Sequence, residues 1–468
     1  MVALLERLHR FADEKVDSGA IDRDASIPDS VMDGLRELGL FGLSVPQDLG
    51  GLGLSHGATA RVVQELGAID SSIAVTVGAH LGIGLPGLLR YGTDEQKQRL
   101  LPALARGERI AAFALTEPRA GTDAAAVITR ADRSVDGGGF LVNGSKVWIT
   151  NGARADVFTV FTRTGTESLH PRMTALLVER GRGLTTGPVE DTFGVRGTAV
   201  TSLTFEDAKV PWRNLLGERG RGFELAMRVL NEGRVLFSAA CLGGSKRVLK
   251  IAAERSVERK AFGRPIGDFG MIKDKVARMA CQVYALESML YLTTGLMDAK
   301  VHDVSLESAI CKIFASETFW SVADSGMQIA GGIGFTVGYP YERMLRDARV
   351  HLVLQGTNEI MRAFIALSGM RSPGARISDV EKAMRAPIKG FGVLTDFAVQ
   401  RARSRFGRER LEGIHPVLRS ELVLFEESVA GLARETERVL RKHGSDVTAK
   451  QFVQRRIADV AIDLYALT

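Results

Sequence analysis

The stretch Asp347-Ala-Arg-Val-His-Leu-Val-Leu-Gln-Gly-Thr-Asn-Glu-Ile-Met-Arg362 lies near the end of a long helical run. Two helical patterns flank a short polar turn, Gln355-Gly356-Thr357-Asn358. Gly356 relieves steric crowding, so the backbone can approach a flat ligand, and the residues after it offer a hydroxyl and an amide. Taken alone, this is a helix–turn–helix junction, and the rest of the chain has to supply a reason to read more into it.

The chain has 468 residues, 45% of them hydrophobic, enough to bury several cores over about two to four domains. A net charge of +6 is mildly basic. No dense basic run is interleaved with aromatic residues, so a nucleic-acid partner is not expected, whereas anionic cofactors and substrates suit that balance. The three cysteines, Cys241, Cys281 and Cys311, are widely spaced in helical patterns. They read as buried thiols of a reducing compartment, with no disulfide frame and no metal site. The opening MVALLERLHRFADEK is an amphipathic helix with acids, not a signal peptide. Ser71 to Leu89 carries no Lys, Arg, Asp or Glu and is long enough for a membrane span. Its Ser, Gly and Pro content reads better as two buried, closely packed helical pieces.

Residues 1–110 read as a helical domain. Asp29 and Ser30 are candidate caps for a helix through Val31, Leu35 and Leu38, and further helices are expected at 56–66, 73–89 and 93–105. From 111 to 213 the texture becomes strand-like, with expected strands at 139–142, 147–150, 157–161, 174–178 and 200–205 and a turn at Asn143-Gly144. No Gly-x-Gly-x-x-Gly opens a βαβ unit, which disfavours a Rossmann fold. Residues 214–370 read as four long helices, 223–255, 271–297, 305–330 and 342–368, most simply a four-helix bundle. Ser372-Pro373-Gly374 reads as a linker into a helical extension over 371–468. There Leu418, Leu422, Phe425, Val429 and Leu432 form one stripe, and the absence of a capping signal at Thr468 suggests an end further on.

Six stretches, in this order, carry a resemblance: Phe113-Ala-Leu-Thr-Glu-Pro-Arg-Ala-Gly-Thr-Asp123; Trp148-Ile-Thr150; Asn231-Glu-Gly-Arg234; Arg259-Lys-Ala-Phe-Gly263 with Phe269-Gly270; Gln328-Ile-Ala-Gly-Gly332; and the turn at 355–359. Together they resemble the acyl-CoA dehydrogenases over essentially the whole chain, and the extension, with Asn231-Glu-Gly-Arg234 and the stretch 268–279, is most similar to the very-long-chain branch and its assembly-factor relative. The resemblance implies a mainly α fold with a central β-barrel-like domain between a helical domain and a four-helix bundle. It implies FAD as cofactor, acyl-CoA as substrate, an electron-transferring flavoprotein as electron acceptor, and a homo-oligomer, dimer or tetramer. Phe113, Leu115 and Thr116 match the contacts to the flavin edge, and Trp148, Ile149 and Thr150 the wall beside the ring. Arg259, Phe262, Phe269, Gly270, Gln328, Gly331 and Gly332 match the nucleotide contacts, some made to the neighbouring subunit's flavin. Thr357, Asn358 and Glu359 complete the cofactor set, and Thr122, Asn231, Arg234 and Gly356 match substrate contacts. Arg234 has an equal bland reading as a buried salt-bridge partner. The extension would serve a membrane surface or dimerisation, and the location implied is the cytoplasm of a bacterium or the mitochondrial matrix.

One position departs from the pattern. The family's catalytic turn carries Glu as the base for the α-proton, and here the residue is Gln355. An amide keeps the shape and the backbone N–H but accepts no proton at useful pH, and a positioned base contributes roughly a hundred- to ten-thousand-fold. Three accounts compete: a dehydrogenase with an introduced Glu→Gln change; a natural variant with its base elsewhere; and an acyl-CoA/FAD-binding scaffold or partner of an active paralogue. Some relatives carry Glu immediately before the bundle Arg, which here is Gly233; Glu232 is one residue early, about 100° round a helix.

Overall fold

The computed structural model describes residues 1–165, 172–385, 411 and 413–468, with only the backbone over 376–385. They form two compact units, Met1–Gly356 and Thr357–Thr468. The stretch 386–410 of the expected extension lies outside the described residues.

The first unit begins with seven helices: α1 (Val2–Lys15), α2 (Ser18–Asp24), α3 (Asp29–Glu37), α4 (His56–Ile69), α5 (Ser71–Ala79), α6 (Pro86–Tyr91) and α7 (Asp94–Ala105). Helix α3 is capped by Pro28, so Asp29 sits in its first turn rather than at the cap. Helix α7 starts at a capping box: Thr93 Oγ1 accepts from Gln96 N at 3.2 Å, and Gln96 Oε1 accepts from Thr93 N at 3.0 Å. The apolar stretch Ser71–Tyr91 is long enough to cross a membrane, but 89% of its most apolar window is buried inside the protein. It is a core segment in two helical pieces joined by a wide turn, His80–Gly84, of π-helical type.

The sheet contains β1 (Ala111–Ala114), β2 (Arg130–Arg133), β3 (Gly139–Ile149), β4 (Val157–Thr164), β5 (Arg172–Glu179), β6 (Leu184–Val189), β7 (Thr201–Pro211) and β8 (Leu215–Leu216). Its order is β6-β7-β3-β2-β4-β5-β8, with β1 parallel to β4. The two strands expected on either side of Asn143-Gly144 are one strand, β3, carrying a register shift between Val142 and Gly144. The reason lies across the sheet: Asn143 exchanges bonds of 2.9 Å with the side chain and backbone of Asp207, so the bulge is pinned to β7 instead of turning back.

After the sheet come α8 (Gly222–Glu258), the hairpin β9 (Lys260–Ala261) and β10 (Arg264–Pro265), α9 (Gly270–Asp298), α10 (Ser305–Ala330) and α11 (Pro340–Val350). Helix α8 packs on α4, α9 and α10, and Gly243 allows the close crossing with α4: a Cβ there would meet Gln64 O at 1.8 Å. Cys241 and Cys311 are buried in this layer, whereas Cys281 is exposed on α9, contrary to expectation. The helix expected over 342–368 is interrupted, because Gln355 and Gly356 take φ +55° and +96°, which no right-handed helix accommodates.

The second unit holds α12 (Asn358–Arg385), α13 (Arg419–His443) and α14 (Gln451–Leu467). Pro373 lies inside α12, so Ser372-Pro373-Gly374 is not a linker in the described structure; the proline forfeits one backbone bond while the helix continues. Helix α12 packs on α13 and α14, and Arg362 Nε pairs with Asp459 Oδ1 at 2.6 Å. Of the expected stripe, Leu422, Phe425 and Leu432 are half-buried, and Leu418 and Val429 remain exposed.

Candidate active site

The turn after α11 is built on the carbonyl of Val350, which accepts from Val353 N at 2.9 Å and Leu354 N at 3.1 Å. Val350 and Leu354 rest on a small apolar cluster of Val75 from α5, Val195, and Phe237 from α8. The next residue, Gln355, is left-handed at φ +55°, a conformation uncommon outside Gly, Asn and Asp. Its carbonyl accepts from Arg234 Nε at 3.3 Å, and the carbonyl of Gly356 accepts from Lys312 Nζ at 2.8 Å. Arg234 is 4% exposed and Lys312 2%. Arg234 Nη1 also donates to Asn231 Oδ1 at 2.7 Å, so its bonds go to an amide and a carbonyl rather than to a bundle carboxylate. Burial lowers the Arg234 guanidinium to about 10, which leaves it charged at neutral pH.

Gln355 Oε1 and Nε2 are both buried, and neither has a hydrogen-bond partner among the described residues. A Cβ on Gly233 would lie 2.9 Å from Gln355 Nε2, 3.2 Å from Oε1 and 2.4 Å from Ile83 Cγ2. Positions 233 and 355 therefore address the same space, with Ile83 of the wide turn as a third wall. Glu232, one residue away on α8, instead pairs with Arg90. Burial raises the Glu232 carboxyl, with Arg90 and His56 opposing.

A second locus lies at the ends of β1 and β3. Lys146, fully buried, donates from Nζ to Leu115 O (3.0 Å), Phe161 O (2.6 Å) and Glu117 Oε1 (2.7 Å). The Glu117 carboxylate also accepts from Ile128 N (2.6 Å) and Thr129 N (3.0 Å), closing the loop that carries Thr122. Burial works to raise the Glu117 carboxyl, but the Ile128 and Lys146 bonds outweigh it and hold it below the usual range. Burial lowers Lys146 to about 8 against the pull of Glu117. Phe113 packs on Phe161 at 4.8 Å between ring centroids, and Val147 N donates to Thr116 O at 3.0 Å. Trp148 follows at φ +54° with 64% of its surface exposed, while Ile149 is buried and Thr150 half-buried. Asn151 then donates to Thr76 O at 2.9 Å, so α5 touches both this locus and the cluster under the turn.

Family models match nearly the whole chain. They are described as the acyl-CoA dehydrogenase N-terminal domain (residues 2–108), middle domain (112–208) and C-terminal domain (220–370), and the ACAD9/ACADV C-terminal domain (416–468). The chain belongs to the acyl-CoA dehydrogenase family. The human very long-chain specific acyl-CoA dehydrogenase of mitochondria is 40% identical over 99% of this chain and 72% of its own length, which places the chain on that branch. A crystal structure of an acyl-CoA dehydrogenase complexed with FAD from Bacillus anthracis is 32% identical with a TM-score of 0.80, covering 99% of this chain and 77% of that one. A chain solved in work on the electron transferring flavoprotein of Acidaminococcus fermentans is 34% identical with a TM-score of 0.75, covering 79% of this chain and 97% of that one. The expected fold class, helical domains around a central β domain with a helical extension, is that of this family.

The remaining residues of the family pattern are more dispersed. Arg259 ends α8, and Phe262 and Gly263 form the two-residue turn of the hairpin at φ +52° and +82°. Phe262 is 95% exposed, and Phe269 carries the Arg264 guanidinium 4.2 Å above its ring. Gly270 opens α9; Gln328, Gly331 and Gly332 sit exposed at the end of α10. Thr122 lies exposed in the loop after β1. Thr357, Asn358 and Glu359 belong to the second unit, where Thr357 Oγ1 accepts from Ile360 N at 3.4 Å. An open recess of about 490 Å³ lined by Asp22, Arg23, Asp191, Thr192, Phe193, Arg196 and Arg346 contains none of the expected residues. Sequence reasoning missed Lys312, Lys146 and Glu117. Glu117 stood inside a quoted stretch and Lys146 two residues before another, whereas nothing in the pattern around Lys312 set it apart.

Proposed function

We propose that this chain binds FAD and a long-chain acyl-CoA in the geometry of an α,β-dehydrogenase, and that position 355, where the family carries its base, lacks a proton acceptor. The cofactor is FAD, and the enzyme class is the oxidoreductases acting on CH–CH bonds. The residues present fit a flavin nucleotide: Trp148 offers an exposed indole, and Gln355 holds two buried polar atoms without partners among the described residues, the mark of a site that a ligand completes. When bound, FAD supplies the acceptor for the hydride leaving the β-carbon.

The chain's own residues do the rest. Phe113, Leu115, Thr116, Trp148, Ile149 and Thr150 orient the ring; Arg259, Phe262, Phe269, Gly270, Gln328, Gly331 and Gly332 serve the nucleotide; Thr357, Asn358 and Glu359 complete the cofactor set. Thr122, Asn231, Arg234 and Gly356 serve the thioester substrate. The backbone N–H of residue 355 polarises the thioester oxygen, as an oxyanion-hole donor does. The side chain of residue 355 should then remove the α-proton, and an amide has no capacity to hold it. Glu232, one residue from Gly233, forms an ion pair with Arg90, so it is a poor substitute. The buried amide of Gln355, without a partner among the described residues, is the observation that carries this reading.

The second reading, an acyl-CoA/FAD-binding scaffold or partner subunit of an active paralogue, is favoured by that same amide. The expected division into segments 1–110, 111–213, 214–370 and 371–468 belongs to the proposal. So do an electron-transferring flavoprotein as acceptor, a homodimer or homotetramer, and a bacterial cytoplasmic or mitochondrial matrix location. Exposed Phe262, Met271, Phe335 and Val337 suit coverage by a second copy. Exposed Val417, Leu424 and Phe452 of the second unit suit either a membrane surface or an interface.

An anaerobic absorbance titration with palmitoyl-CoA tests the reading. The expected result is a shift of the oxidised flavin band without bleaching over hours. Prompt bleaching means that a base operates despite Gln355, and a protein that takes up no flavin overturns the proposal.

A further inference from the structure

Lys312 has no assigned role, and its surroundings make it conspicuous. It lies in the middle of α10 between Cys311 and Ile313, both fully buried, and is itself 2% exposed. Moving an ammonium out of water is strongly unfavourable unless strong hydrogen bonds compensate. Lys312 Nζ donates to Gly356 O at 2.8 Å, one residue beyond the carbonyl held by Arg234. The two donors come from different helices, α10 and α8, so consecutive peptide planes are anchored from two directions. Between the two planes stands the Cα of Gly356 at φ +96°, and the left-handed Gln355 at φ +55° immediately precedes the first, a backbone that would relax if either plane were free to rotate.

We propose that Lys312 is a positioning residue for the reaction at position 355. Its ammonium fixes the peptide plane after Gly356, so that Gly356, with Arg234 holding the plane before it, cannot leave its positive-φ state and pull residue 355 out of place. The side chain and backbone N–H of residue 355 thereby stay aimed at the reacting carbons and the thioester oxygen. This rests on the reading of position 355 given above. Arg234 alone is insufficient, because it holds only the plane before Gly356 and leaves that residue, the most permissive in the turn, free to swing.

The test uses the FAD-loaded protein. In a Gln355→Glu background, Lys312→Met should lower kcat for palmitoyl-CoA by roughly a hundredfold, the scale of a 1 Å misplacement, with KM within about threefold. In the unaltered chain, Lys312→Met should accelerate amide exchange at residues 355–357 while the exchange of α10 stays unchanged. A folded, flavin-containing Lys312→Met protein with unchanged kcat and unchanged exchange at the turn overturns the proposal. So does a parallel loss of flavin, KM and exchange protection throughout α8 and α10, which marks a purely structural role. If Lys312→Met does not fold, Lys312→Gln, which keeps a shorter neutral donor, decides: about a tenfold loss in kcat at constant KM supports the proposal, and no loss overturns it. If Gln355→Glu itself produces no turnover, the dehydrogenase reading fails, and the exchange comparison in the unaltered chain still decides the role of Lys312.

Discussion

The turn at Gln355-Gly356 and the hairpin after α8 are both left-handed, yet they are held in opposite ways. At Gln355 and Gly356 the backbone is tied from beneath by two buried cations, and an apolar cluster of Val75, Val195 and Phe237 supports the residues before it. At Phe262 and Gly263 the backbone is a two-residue turn whose aromatic side chain stands 95% exposed. The first region is prepared by this chain alone, as the proposed role beside a developing charge requires. The second has an apolar and a cationic side chain ready, but the described residues give Phe262 little beyond Phe269 at 6.0 Å between ring centroids. On the proposed reading, in which this hairpin serves the far end of the nucleotide, that is tolerable, because contacts there need only add affinity.

If the contrast holds, changes at the buried loci alter rate or stability strongly, and changes at the hairpin alter retention of the cofactor alone. Gln355→Glu should show the largest effect, raising turnover of long-chain acyl-CoA by roughly a hundred- to ten-thousand-fold in a steady-state assay. A rate unchanged within threefold would break the assignment of position 355. Lys146→Met should come next, because it strands the buried Glu117 carboxylate. A loss of about 3–5 kcal/mol is expected in denaturant unfolding, and less than 1 kcal/mol would show the hub to be dispensable.

Asp347, at the end of α11, gives a pH-dependent version of the same test. Burial lifts its carboxyl from 3.8 to about 7, helped by Asp70 and Asp22 and opposed by the Val195 N–H and Arg343. The folded state therefore holds a proton that the unfolded chain has lost between these values. Stability falls as pH rises from about 4 to about 7, by up to ~1.4 kcal/mol per pH unit, and levels off above. Asp347→Asn should remove that slope in melts at several pH values, and an unchanged slope would mean that Asp347 ionises normally. Arg259→Ala should have the smallest effect, about a tenfold weaker retention of FAD on dialysis with an unchanged melting temperature of the flavin-free protein. A fall in that temperature would show the hairpin to be structural, and equal flavin occupancy would remove Arg259 from the site.

Local chemistry was legible wherever it was self-contained. Thr93 and Gln96 announce α7 because both partners of the capping box lie within one turn. Strand β1, Ala-Ala-Phe-Ala, was missed because all four residues are buried and leave no alternation to read. Asn143-Gly144 resembled a turn until Asp207, 64 residues away, made it a bulge.

The sequence by itself carried the resemblance to the family, with the cofactor that the resemblance implies, the order of helical and β segments, and an amide at 355 where the family's turn carries Glu. Those properties reside in residue identity and near-neighbour spacing. Only the tertiary structure decided that Gly233 and Gln355 share one space, that Glu232 belongs to Arg90, and that Lys312 and Lys146 are buried hubs instead of solvated charges. A lysine in a helix or strand is written identically in either case. What it does depends on which carbonyls distant segments bring within about 3 Å, a long-range property that no local pattern encodes.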